Sequence, residues 1–129
     1  MSLERSPYKG TSGLQRIINA TRYSIAGFKT AFHNEAAFRQ LILLNAILIL
    51  INFYLDISLV EHTLLLVIGL FALIVELFNS AIEAVVDRIS LDQHELSKNA
   101  KDMGSCAQAI ALVLIVAVWS IILIGRGIA

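Results

Sequence analysis

Four polar residues close an otherwise apolar run. In 75-VELFNSAIEAVVDR-88, Glu76, Asn79, Glu83 and Asp87 follow one another at spacings of 3, 4 and 4. At 100° per residue they fall within an arc of about 80° on one helix face. The segment before them, Leu64 to Val75, carries no charged or polar side chain, so the stripe is joined to a run that leaves water. An acid at the centre of a bilayer costs about 2.5 to 3.5 kcal/mol on insertion scales, and intramembrane acids are functional by default. Glu76 is the costly one, while Glu83 and Asp87 approach the end where ions and phosphates can reach. The stripe extends about 16 Å along a helix, enough to join a lipid-level hydroxyl to a soluble cosubstrate. Helix registry alone would need one Asn, and three carboxylates exceed that.

Two further polar patches share the same membrane face. In 33-HNEAAFRQ-40, Glu35 and Arg39 stand one helical turn apart at the start of an apolar run, and 94-HELSKNAKDMGS-105 leads into another. Glu35 and Glu83, from different helices, are hard oxygen ligands suited to Mg²⁺ carrying a nucleotide phosphate. Lys101 could neutralise phosphate oxygens, and Asp102 could hold that lysine or a ribose hydroxyl. Neither G-x-x-x-x-G-K-[ST] nor G-x-G-x-x-G occurs, which excludes the standard soluble nucleotide-binding loops. A proton or cation pathway is the rival reading, but Asn45, Asn52, Gln108 and Ser120 in the other apolar segments are uncharged and continue no such path.

The elements that must hold these residues are membrane helices. The 129 residues are 57% hydrophobic with a mean hydropathy of +0.76, more than a soluble core of this size carries. About 20 mostly apolar residues span a bilayer, and residues 36–55, 60–86 and 100–124 qualify. Each must be helical, because backbone groups in lipid need internal partners. With no linker or repeat, residues 1–129 are expected to form a single membrane domain. The loop 56–62 has no Lys or Arg, whereas Arg5, Lys9, Arg16, Arg22, Lys29 and Arg39 precede the first span and Arg88, Lys98 and Lys101 lie in the second loop. The positive-inside rule then places the N-terminus and second loop in the cytoplasm and the C-terminus outside.

Ahead of the first span, Leu14, Ile17, Ile18, Thr21, Ile25, Phe28 and Phe32 mark one face of a helix expected over residues 11–33, with Ser12 and Gln15 in capping-box spacing after Thr11. Arg16, Asn19, Arg22 and Lys29 lie off that stripe, as in an amphipathic helix resting on anionic headgroups. The single cysteine, Cys106, sits among small residues and reads as packing. No secretory signal is visible, and Met1 is the expected start of the mature chain.

The segments N-E-A-A-F-R-Q, V-E-x-x-N-S-A-I-E-A-V-V-D-R-I and H-E-L-S-x-x-A-K-D-M-G-S resemble those of the prokaryotic integral-membrane diacylglycerol kinases, over nearly the whole chain. That resemblance implies an all-α membrane protein, an N-terminal amphipathic surface helix plus three transmembrane helices, assembled as a homotrimer in the bacterial cytoplasmic membrane with its active site at the cytoplasmic face. It implies transfer of the γ-phosphate of Mg-ATP to the primary hydroxyl of 1,2-diacylglycerol, giving phosphatidic acid in phospholipid recycling, with no nucleic acid partner. By the match, Glu76 is the general base, and Glu35 and Glu83 are metal ligands bridging ATP phosphates. Asn79, Lys101 and Arg16 come near the phosphates, with Tyr23, Asp92, Gln93, His94 and Asp102 near the nucleoside. Arg16, Ala20, Ser24 and Ser105 join Glu76 in binding the lipid.

The chain departs from well-known relatives at Leu41, where they carry glutamate, and at Ile25 and Ala26, where they tend to carry tryptophan and lysine. These positions are expected on the lipid-facing rim. Lys98-Asn99 also differs, beside the expected nucleotide site. The alternatives are an undecaprenol kinase, sharing the ATP site with a polyprenol acceptor, and a non-enzymatic oligomeric membrane protein.

Overall fold

The structure, a computed structural model, describes residues 13–128. Thr11 and Ser12, the expected start of the first helix, lie outside the described residues. Four helices follow in order, α1 (Leu14–Asn34), α2 (Ala36–Tyr54), α3 (Leu59–Ile89) and α4 (Glu95–Ile128), with no strand among the described residues.

α1 forms a unit of its own. It opens at Gly13, whose φ of 82° needs a residue without Cβ and whose carbonyl accepts from the Arg16 N–H at 3.1 Å. Its hydroxyls turn inward on the helix: Thr21 Oγ1 donates to the Ile17 carbonyl at 3.0 Å and Ser24 Oγ to that of Ala20 at 2.9 Å. The apolar side chains expected on one face, among them Leu14, Ile17, Ile25 and Phe28, are exposed. Phe28 and Phe32, one turn apart, stack with ring centroids 6.2 Å apart.

The remaining three helices form the second unit, and each is long and apolar enough to cross a membrane. They run up, down and up, so Glu35, Ser90 and Glu95 share one end of the bundle, called here the polar end. α2 stops where Leu55 turns extended, its N–H returning to the Asn52 carbonyl at 3.3 Å. α3 restarts on a capping box: the Glu61 N–H donates to Ser58 Oγ at 3.3 Å, and the Ser58 N–H to Glu61 Oε2 at 2.7 Å. α4 begins at Glu95, ahead of the span expected from Ala100, because the polar residues 95–99 complete a helical turn outside the apolar stretch.

α3 lies between the others, packing on α2 and more extensively on α4. Its buried residues, Leu65, Gly69, Ala72 and Glu76, repeat at 4, 3 and 4, the seam of closely packed helices. α4 answers with Gly104, Ala111, Ile115, Trp119 and Ile122. Small residues on this seam let backbones approach where no water is available to drive association. At Gly69 a Cβ would collide with Oδ1 of Asn45 on α2, whose Nδ2 donates to the Leu41 carbonyl at 3.0 Å.

At the far end, Asn52 clasps His62 across α2 and α3. Asn52 Nδ2 donates to the His62 carbonyl at 3.1 Å, which leaves Oδ1 to accept from His62 Nδ1 at 2.7 Å. Arg126 pairs there with Asp56 at 3.6 Å. Of the two asparagines of α2, Asn52 thus clasps α3 while Asn45 bonds back to its own helix beside Gly69.

One expectation is overturned. Leu41 is not on the rim: it is buried and belongs to the core cluster with Leu65, Ala72 and Ala111. The seam of α3 draws that position of α2 inward. Ile25 and Ala26, by contrast, are exposed on α1.

Candidate active site

The acidic stripe of α3 is the packing seam itself, continued in polar residues. After Leu65, Gly69 and Ala72, the 4 and 3 spacing leads to Glu76, which is only 4% exposed, then to half-buried Asn79 and Glu83, and at the polar end to exposed Asp87. Burial therefore falls steadily from the carboxylate inside the bundle to the one at its mouth.

Glu35 enters from α2. It occupies the cap position with an extended backbone, and its carbonyl accepts from the Arg39 N–H at 3.3 Å, but its side chain makes no capping hydrogen bond. The carboxylate is left for other partners. Asn79 Nδ2 donates to Glu83 Oε1 at 3.4 Å, and Asn79 Oδ1 finds no donor among the described residues. It lies against Gly104 of α4, where a Cβ would strike it.

Beyond the stripe a cleft of about 820 Å³ opens between the end of α3 and the start of α4. Asp87, Asp92, Gln93, His94, Lys101 and Asp102 are among its lining residues. The turn below it is shaped by side chains. The Asp92 N–H donates to Ser90 Oγ at 3.0 Å, and His94 starts α4 twice over, its carbonyl accepting from the Lys98 N–H at 3.0 Å and its Nδ1 from the Leu96 N–H at 3.1 Å. Lys101 Nζ sits 2.6 Å from Asp87 Oδ1, and Lys98 Nζ 2.6 Å from Asp102 Oδ2. Asp102 therefore holds Lys98, one turn back on its own helix, and not Lys101. The volume falls within the range of small-molecule sites, and its polar lining offers both signs of charge.

A smaller cavity of about 260 Å³ opens beside Glu76, bounded by Gln40, Leu41 and Leu44 of α2 and by Gln108 and Leu112 of α4. The remaining expected residues lie elsewhere. Arg16, Ala20 and Tyr23 share the face of α1 opposite its apolar stripe, with Ser24 at the edge of that face. Ser105 is exposed on α4, next to Gly104. Sequence reasoning missed Gln108 and the pairing of Asp87 with Lys101. A signal was present, since Lys101, Gly104, Gln108, Ala111 and Ile115 repeat at 3, 4, 3 and 4, the same seam that α3 follows.

A family model for prokaryotic diacylglycerol kinase matches residues 22–123. The chain belongs to this family. Diacylglycerol kinase of Pseudomonas aeruginosa is 62% identical over 120 residues, covering 93% of this chain and 98% of the relative. Diacylglycerol kinases of Haemophilus influenzae and Escherichia coli K12 are each 47% identical over 113 residues, covering 88% of this chain and 96% and 93% of theirs. Membership in a prokaryotic diacylglycerol kinase family, on a bundle with three helices able to cross a membrane, makes the chain a membrane-embedded lipid kinase. The matched residues contain every candidate from Tyr23 to Ser105, with Arg16 and Ala20 ahead of them.

Proposed function

We propose that the protein transfers the γ-phosphate of ATP to the primary hydroxyl of 1,2-diacylglycerol, with Glu76 as the base, at the polar end of the bundle. The observation that carries this reading is a buried carboxylate, Glu76, at the inner end of a polar stripe whose outer end, Asp87, lines a polar cleft of nucleotide size. Family membership supplies the reaction class.

In this reading the acceptor hydroxyl donates to Glu76, which takes the proton as the oxygen bonds to the γ-phosphorus and the bond from that phosphorus to the bridging oxygen of ADP breaks. Little covalent work falls to the protein, whose task is to position the two substrates and balance charge. Lys101 is the phosphate cation of the bundle, Asp92, Gln93, His94 and Asp102 take the nucleoside, and Asn79 orients Glu83 through their hydrogen bond. Ser105 flanks the lipid, and the substrate roles of Arg16, Ala20, Tyr23 and Ser24 rest on the family resemblance alone.

The donor set suits Mg²⁺. Glu35 and Glu83 are hard oxygen donors, Glu35 carries no competing cap bond, and neither Cys nor His stands among the proposed ligands. Two carboxylates match an ion that takes its other ligands from phosphate and water. With the nucleotide bound, Mg²⁺ supplies charge neutralisation of the transferring phosphoryl group.

Several protomers assembled as a homotrimer would cover the outward apolar faces of the spans, where side chains such as Leu43, Phe53 and Val113 are exposed, and would let one subunit complete another's site. The charge asymmetry of the loops supports a cytoplasmic polar end in a bacterial inner membrane.

The test is phosphorylation of short-chain 1,2-diacylglycerol by purified protein in mixed micelles, with Mg²⁺ varied and Glu76→Gln alongside. Mg²⁺-dependent phosphatidic acid that disappears in the variant, while nucleotide binding persists, is the expected result. Normal turnover by the variant would remove Glu76 as base, and faster phosphorylation of undecaprenol would replace the acceptor.

A further inference from the structure

The cavity beside Glu76 holds a second polar group that the reaction scheme does not use. Gln108 Oε1, on the seam of α4, is fully buried and has no hydrogen-bond donor among the described residues. It borders the same 260 Å³ space as the Glu76 side chain. A buried amide oxygen without a donor costs stability until something donates to it. Its neighbours in that cavity do not satisfy it: Leu41, Leu44 and Leu112 are apolar, and the Gln40 amide, which carries donors, borders the space without bonding to Oε1. The cavity thus sets an unpaired amide oxygen beside the Glu76 carboxyl, and a hydroxyl-bearing ligand supplies the donor that Oε1 lacks.

The rest of the cavity says which hydroxyl. Leu44 and Leu112 also border an apolar cavity of about 390 Å³ that continues along α2 and α4 past Ile115 to Trp119 and Leu123. One end of this slot is polar and the remainder is mostly apolar, with the Ser120 hydroxyl and the unpaired Trp119 indole N–H towards its far part, over a distance of about 22 Å along α4 from Gln108 to Leu123. A nucleotide or free sugar would leave its polar groups unpaired in such a slot. An alcohol carrying an acyl chain places its hydroxyl at Glu76 and Gln108 and its chain along the leucines.

We propose that Gln108 is a specificity-determining residue of the acceptor site, its amide oxygen receiving the hydroxyl of the lipid alcohol beside Glu76. The assignment rests on the kinase reading of Glu76. The hydroxyl has one proton, so it is shared in sequence: it donates to Gln108 Oε1 on binding and turns to Glu76 when the phosphoryl donor is in place. Gln108 therefore contributes to holding the alcohol, and its effect falls on KM before kcat. Leu41 and Leu112 shape the same chamber, which gives the inward position of Leu41 a bearing on the acceptor.

The experiment compares wild-type protein with Gln108→Met and Gln108→Leu, full-length in mixed micelles. Two probes of equal acyl length are used: a short-chain 1,2-diacylglycerol and the corresponding 1,2-propanediol diester, which lacks the hydroxyl. In both variants KM for the alcohol should rise about three- to ten-fold, the worth of one neutral hydrogen bond, with kcat changed much less. The inhibition constant of the diester should stay as in wild type, so that discrimination between the two probes shrinks. Thermal stability of the ligand-free variants should hold or rise, since a lone buried acceptor has been removed. Unchanged discrimination in both variants would overturn the proposal, as would a loss of stability with KM and kcat falling together, which marks a purely structural amide. Failure of the kinase reading itself would show differently, as wild-type protein making no phosphatidic acid.

Discussion

Lys101 of α4 reaches across the mouth of the cleft to Asp87 of α3, ammonium to carboxylate at 2.6 Å, with both side chains still substantially open to solvent. An exposed pair of this kind contributes too little to hold two helices together. Its value lies in position: the lysine is parked at the rim of the proposed nucleotide site on a partner it can leave cheaply.

Removing the parking partner should therefore favour the nucleotide. Asp87→Asn is expected to lower the KM for ATP about two- to five-fold while thermal stability changes little. Lys101→Met should raise that KM roughly ten-fold or more, the worth of a charge-assisted hydrogen bond. Steady-state kinetics with ATP varied at saturating lipid reads both. Equal losses in the two variants would mean that the pair acts as a fixed unit.

Two glycines give a matched comparison. A Cβ at Gly69 strikes Asn45, deep in the seam, and one at Gly104 strikes Asn79, within the proposed site. Gly69→Ala forces Asn45 off the Leu41 carbonyl in a buried place and should cost about 1 to 3 kcal/mol of stability. In Gly104→Ala the displaced group is half-buried Asn79, so stability should fall less and kcat more. Thermal inactivation in detergent alongside turnover at low temperature separates the two effects.

Glu83 is a proposed ligand of Mg²⁺. Glu83→Gln should keep the hydrogen bond from Asn79 yet lose a negative oxygen donor, so the Mg²⁺ concentration giving half-maximal activity should rise at least ten-fold. Glu35→Gln should act the same way. Titration of Mg²⁺ at fixed ATP reads this, and Mn²⁺ should restore part of the activity, because it binds the same ligands more tightly.

The far end has its own prediction. His62→Leu removes the ring that donates to Asn52 Oδ1, leaving a buried acceptor unpaired, and should destabilise the bundle by about 1 to 3 kcal/mol without changing substrate KM values. Thermal denaturation and kinetics together check it. A change in KM would tie the far end to the site.

Much of this arrangement was legible in the sequence because a bilayer leaves few choices. The three spans follow from apolar length, and the stripe of Glu76, Asn79, Glu83 and Asp87 follows from helical geometry alone. What the sequence concealed were partners across helices. Lys101 is seven residues from Gln108 and one from Asp102, and nothing local says that its carboxylate comes from Asp87 on another helix. Leu41 read as a rim position because an apolar residue suits lipid and a packed seam equally well. Gln108 passed as an isolated polar residue, since its meaning comes from the emptiness of the space it borders and from Glu76 on the facing helix.

α3 is unbroken from Leu59 to Ile89 and carries both Glu76 and Asp87, so the axial separation of those two side chains is set by the pitch of one rod. At 31 residues the rod measures about 46 Å, against a hydrocarbon layer of about 30 Å. A thinner bilayer cannot shorten it and must tilt it or dimple around it. The height of Glu76 relative to the glycerol backbones then depends on how the surrounding lipids accommodate the rod.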